Sequence, residues 1–329
     1  MRFFLAIGFC LCFISGIIWA DTFGTGSDQF DMDFVTISGE SNPNSGYGIV
    51  DGDYRMGKFE ITNDQWNKFV NINGAPTGDP SDAYDQNGGW SGANVPTNEV
   101  SWHEAAQFVN WLNTSKGYHA AYKFTGTKGQ SDYALDTWST AEADNGTNLY
   151  RHKDAFYYLP THDEWIKAAY WNGTERQTYA TKPGESLHLG NGQSGSGWNY
   201  TVNYPQDPPP PGPWDVGSGS EELNGTFDMM GNVAEWIETS EFLSSDYGVQ
   251  TNRLLRGGSH LSFYGQNFDY DGDNNITNTY PSNEQDYIGF RVASEPEPAI
   301  SLAADLNEDG LVNVEDLAIF SSQWLLTEN

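Results

Sequence analysis

Gly225-Thr-Phe-Asp-Met-Met-Gly-Asn-Val-Ala-Glu-Trp236 decides how this chain is read. Two glycines, Gly225 and Gly231, bracket a turn-forming run in which backbone geometries closed to other residues become available. Val233–Ile237 then reads as a short strand. Five more segments of the same kind flank it: Gly57-Lys-Phe-Glu-Ile-Thr-Asn-Asp-Gln-Trp66, Val100-Ser-Trp-His-Glu-Ala-Ala106, Leu159-Pro-Thr-His-Asp-Glu-Trp165, Leu255-Arg-Gly-Gly-Ser259 and Ile288-Gly-Phe-Arg-Val-Ala293. Tryptophan and glycine at fixed places are what hold irregular backbone together.

Three helix starts follow from capping-box spacing at Thr62/Gln65, Ser101/Glu104 and Thr161/Glu164. Apolar residues recur behind each at helical intervals: Trp66, Phe69 and Val70; Ala105, Phe108, Val109 and Leu112; Trp165, Ala168 and Ala169. These faces are expected in a core. Strands are expected at Phe34–Ile37, Tyr54–Ile61, Phe156–Leu159, Arg253–Arg256 and Tyr287–Val292. The long stretches between are rich in Gly, Asn, Asp and Ser, so the fold class is an irregular α+β domain with little regular secondary structure. The proline run 207–213 cannot be helix or central strand and reads as a surface loop.

The 329 residues carry 15 Lys+Arg against 45 Asp+Glu, a formal charge of −30 that argues against nucleic acid as a partner. Arg2, the apolar run Phe3–Trp19 and the small Ala20 read as a signal peptide over residues 1–20, with Asp21 the first mature residue. A membrane anchor is the alternative, but Gly8, Ser15 and Gly16 interrupt a run that barely reaches the ~20 residues a span needs. The expected location is secreted, periplasmic or cell-surface, with no membrane span after removal of the leader. The chain holds two cysteines, Cys10 and Cys12, both inside that leader. The mature protein would therefore contain no thiol, and packing with bound metal must supply its rigidity.

The domain reads as residues 21–293, followed by a Pro/Glu linker at 294–302. In the tail, 303–326, Asp305, Asn307, Asp309, Leu311, Asn313 and Asp316 occupy positions 1, 3, 5, 7, 9 and 12 of an EF-hand-type calcium loop, with Gly310 at the turn. This resembles one repeat of a type I dockerin, which implies a cohesin-like or cell-surface partner; a calcium-stabilised cap on the chain's own domain is the other reading. A second acidic loop, Asp269-Tyr-Asp-Gly-Asp, alternates oxygen ligands at Asp269, Asp271 and Asp273 and suits either calcium or plain solvation.

In their order and register the six segments resemble the formylglycine-generating, sulfatase-modifying enzymes, over roughly residues 33 to 293. The resemblance implies that family's variant of the C-type lectin fold. It also implies a pair of copper-binding cysteines after Gly-Gly-Ser, but Ser262 and Asn267 stand at those places. A hydroxyl and an amide are poor ligands for copper(I) and cannot enter a mixed disulfide, so copper is not expected. Met56, Met229 and Met230 read as core filler. A family calcium site carries over to Asp228, Gly231, Val233 and Glu235, the alternative being a turn cap and an ordinary ion pair; a second, near Asn199 and Tyr200, is broken by the proline loop. The histidines, His103, His119, His152, His162, His188 and His260, are scattered without iron-ligand spacing, and only His260 falls near the expected groove, beside Asp269, Asp271 and Asp273. The expected function is a non-catalytic, calcium-stabilised binding or scaffold protein whose ligand is a protein, peptide or glycan. An enzyme of sulfatase maturation using altered chemistry is the alternative.

Overall fold

The computed structural model describes residues 19–85, 89–201, 211–241, 251–262 and 277–297, with residues 306 and 319. Two units divide the chain, Met1–Ser294 and Glu295–Asn329. The tail loop Asp305–Asp316 belongs to the second and lies outside the described residues except for Leu306.

Three helices form where the capping boxes place them: α1 (Asn63–Asn73), α2 (Trp102–Ser115) and α3 (His162–Tyr170). In each, the N-cap hydroxyl accepts from the N3 amide while the N3 side chain accepts from the N-cap amide, satisfying donors that a helix start leaves unpaired. Phe69 and Phe108 are buried in one core cluster, with Trp66 and Val70 half-buried against it, and Trp165 is buried in a second.

Strands β1 (Trp19–Phe23), β2 (Phe30–Ile37), β3 (Tyr54–Gly57), β8 (Tyr157–Tyr158) and β13 (Ala293–Ser294) make one sheet in the order β1-β2-β3-β13-β8. A second sheet runs β11-β10-β9-β12, from β9 (Ala234–Ser240), β10 (Arg253–Arg256), β11 (Thr277–Thr279) and β12 (Ile288–Phe290). Two-stranded pairs complete the unit: β4 (Lys123–Thr125) with β5 (Ala134–Asp136), and β6 (Ala143–Asp144) with β7 (Asn148–His152). Strand β1 begins two residues before the expected cleavage point, and its partners run Trp19↔Phe34 to Phe23↔Phe30. No helix among the described residues is long and apolar enough to cross a membrane.

The segment 288–294 joins the two sheets. Ile288–Phe290 pairs parallel with β9, and three residues later β13 slots between β3 and β8. Phe290 and Val292 enter the core, and Arg291 between them takes a different course. Gly289 has to be glycine, because a Cβ there would meet Thr97 O at 2.5 Å. Met56, Met229 and Met230 are buried in the second core cluster, as core filler should be.

Candidate functional site

Arg291 lies completely buried against Glu235, also completely buried. Its Nε donates to both Glu235 oxygens at 2.9 and 2.8 Å, and Nη2 donates to Oε1 at 2.6 Å. Trp165 Nε1 donates to Oε2 at 2.7 Å, tying α3 to β9. The remaining guanidinium N–H groups reach the carbonyls of Gly57 at 3.0 Å and Phe227 at 2.8 Å.

Three more buried carboxylates surround this pair. Glu60 accepts from Val233 N at 3.2 Å and Asn232 Nδ2 at 2.9 Å. Glu222 accepts from Trp198 Nε1, Thr226 Oγ1, Met229 N and Met230 N at 3.0–3.2 Å. Asp228, in a left-handed turn at φ 61°, accepts from Gly217 N at 2.9 Å. Carboxylates thus outnumber the guanidinium, and burial penalises each charge. Burial is the main cause that pushes Glu222 up to about 8 and Asp228 up to about 6. It raises Glu60 too, with further repulsion from Asp228 and Glu235. Burial alone would lower Arg291, but attraction to Glu235, Glu60 and Glu222 outweighs it and raises the value.

Of the expected calcium ligands, Asp228 and Glu235 fall in this centre, close enough for Glu235 to raise Asp228 electrostatically. Gly231 and Val233 lie on the turn between them. Gly231 has φ 94°, and a Cβ there would meet Asn199 O at 2.2 Å. Among the described residues no three His, Cys, Asp or Glu side chains form a metal-holding group. Two carboxylates with turn carbonyls are the hard oxygen donors that calcium takes, but as placed Glu235 is paired with Arg291 and Asp228 accepts from Gly217 N, the turn-cap and ion-pair arrangement that is the alternative to a metal site. Nothing local in the sequence marks the side chains of Glu60, Glu222 and Arg291 as converging, although Glu60 lies in the segment Gly57–Trp66 and Arg291 in Ile288–Ala293.

The turn after β10 holds Ser262, the residue that the sequence resemblance sets at the first cysteine position. Gly257 and Gly258 take φ 84° and 62°, and Ser259 N donates to Ser262 Oγ at 2.9 Å. Ser262 N returns to Ser259 O at 2.8 Å, and Thr201 N donates to Ser262 O at 2.9 Å. The hydroxyl is therefore a turn-closing acceptor in a side chain only 9% exposed. His260 turns inward: its backbone N and its Nδ1 contact Asn232 O at 2.9 and 3.0 Å, and its ring meets Trp90 edge-on at 5.8 Å. It is 1% exposed, and burial holds its pKa below the ordinary imidazole value. As placed, His260 lines the interior and not an open groove. Asn267, Asp269, Asp271 and Asp273 lie outside the described residues. Asn232, at φ 57°, connects the two centres, since its side chain holds Glu60 while its carbonyl holds His260.

Comparison with known proteins agrees with this architecture. Treponema denticola variable protein 1 superposes with a TM-score of 0.56 at 20% identity, covering 84% of this chain and 99% of its own. CarF gives 0.55 at 21% identity, covering 81% and 99%. At those identities the likeness concerns the fold alone. In sequence, the Chaperone protein LppX of Paenibacillus barcinonensis is 25% identical over 277 residues, 76% of this chain and 85% of that protein. The model of the sulfatase-modifying factor enzyme 1-like domain matches residues 22–296. The chain belongs to the sulfatase-modifying factor enzyme 1-like family.

Proposed function

We propose that this chain is a non-catalytic binding or scaffold member of its family, stabilised by calcium and exported. The observation that carries the reading is Ser262. It occupies the first cysteine position of the active enzymes, and its hydroxyl is spent on the backbone of its own turn. Chemistry that needs a soft, nucleophilic sulfur has no donor there. The relative named as a chaperone supports a role in holding another molecule, which here would be a protein, peptide or glycan.

Calcium is proposed at the buried centre, with Asp228 and Glu235 supplying carboxylate oxygens and Gly231 and Val233 carbonyls. A dication would favour the ionised forms of Asp228, Glu60 and Glu222, which burial disfavours. The tail loop would bind a second ion and offer a docking point for a cohesin-like or cell-surface partner. Calorimetric titration of the full chain with calcium, after chelation, tests this. Asp228→Asn is expected to abolish one binding event and Asp309→Ala another, while a wild type that takes up no calcium would refute the calcium part of the proposal.

A further inference from the structure

Two histidines far apart in sequence meet where the β6–β7 hairpin joins the rest of the domain. His119 follows α2 and His152 ends β7, and their imidazoles stack with centroids 3.5 Å apart and planes within 7° of parallel. Trp138 stands edge-on to both, at 5.2 and 4.6 Å. Its Nε1 donates to Ala121 O at 2.8 Å, and His152 N donates to the same carbonyl at 2.9 Å. The stack thus lies on the seam that fastens the hairpin to residues 119–121.

Hydrogen bonding fixes the protons. His119 Nδ1 is 3.1 Å from Ala120 O and so carries a proton; His152 Nδ1 accepts from Asp154 N at 3.1 Å, which leaves its proton on Nε2. A shared metal ion is thereby excluded, because neither nitrogen of His152 keeps a free lone pair. A proton added at His152 Nδ1 would oppose the Asp154 amide and place a cation against the His119 ring. The charged groups facing His152 are His119, Asp154, Glu142 and Lys153, and Lys123 lies 5.9 Å over Trp138. The Asp154 carboxylate, 3.9 Å from Nδ1, is exposed and well screened. Burial first, then His119, holds His152 below 6.5, and this outweighs the pull of Asp154 and Glu142.

We propose that the His119–His152 stack is an acid-operated latch: with His152 neutral it fastens the β6–β7 hairpin to residues 119–121, and a proton taken up by His152 parts the rings and frees the hairpin. A depressed folded-state value means that the stabilisation is present above the unfolded imidazole value and is lost as pH falls below it.

Amide hydrogen exchange on the full chain tests the latch. Global stability is a poor readout, because the raised carboxyl groups Glu104, Glu222 and Asp228 shift it in the opposite sense. Corrected for intrinsic rates, protection of the Leu149–His152 amides should fall by about tenfold for one pH unit below the imidazole value. His152→Phe keeps a stacked ring that takes no proton, so its protection should not change over the same interval. Wild-type protection that stays constant, or a His152→Phe variant that loses as much, would overturn the proposal. Should that variant fail to fold, His152→Gln removes both the stack and the titrating ring; it should be less protected at both pH values, and an acid step of wild-type size in it would also overturn the latch.

Discussion

Arg291 is the single residue on which the buried centre depends. Among the described residues it is the guanidinium bonded to Glu235, and it also donates to carbonyls on two other segments. Arg291→Met should therefore cost about 3–5 kcal/mol, the range for stranding one member of a buried ion pair. Denaturant unfolding measures it, and loss below about 1 kcal/mol would mean that the pair does not hold the centre. Glu235→Gln should be similarly costly, and the double variant should cost less than the sum, since no lone charge remains. Part of this was legible beforehand: Asp228 and Glu235 were singled out, seven residues apart in one segment. Glu60 and Glu222 were not, because in a chain with 45 acidic residues nothing local distinguishes a carboxylate that folding will bury. The Glu235–Arg291 pair spans 56 residues, a separation that no periodicity encodes.

At the scale of elements, the caps were the most readable feature, because a capping box is written within four consecutive residues. Ser101 does more than cap: its hydroxyl also donates to Ala83 O at 2.7 Å. Ser101→Ala should cost about 1–2 kcal/mol, the upper part of the N-cap range, and Thr62→Ala about 1 kcal/mol, both read from thermal or denaturant midpoints. A Ser101→Ala variant no weaker than Thr62→Ala would contradict the double role. Strands were legible where apolar residues repeat, as at β2, β3, β9 and β10. They are not legible at β4 to β7, which are short and polar, nor at β1, which overlaps the end of the expected leader. The strand expected over 287–292 is divided between the two sheets, since Arg291 and Val292 must pass from one to the other. Glu164 shows why elements cooperate: the cap of α3 is also the carboxylate that Arg151 grips with Nη1 and Nη2, both at 3.1 Å.

Across the whole molecule, buried carboxyl groups set the response to pH. Glu104 and Glu222, both at about 8, and Asp228, at about 6, lie above their unfolded values. Stability from such groups is present at low pH and is lost as pH rises through the folded values. In chelator, the melting midpoint should therefore fall between about pH 5 and pH 8, and self-repulsion of a chain at −30 adds to the decline. Added calcium should offset the fall, because it favours ionised oxygens; a midpoint that ignores calcium throughout this range would speak against the proposed cage. The frame is that of the sulfatase-modifying factor family, and the proposed non-catalytic role rests on the turn at Ser262. Incubation of the full chain with a Cys-x-Pro-x-Arg peptide, copper and oxygen, followed by mass spectrometry and aldehyde trapping, tests that departure most directly. The peptide's cysteine is expected to stay unchanged; a mass loss with a trapped aldehyde, absent without the protein, would show that this chain is catalytic.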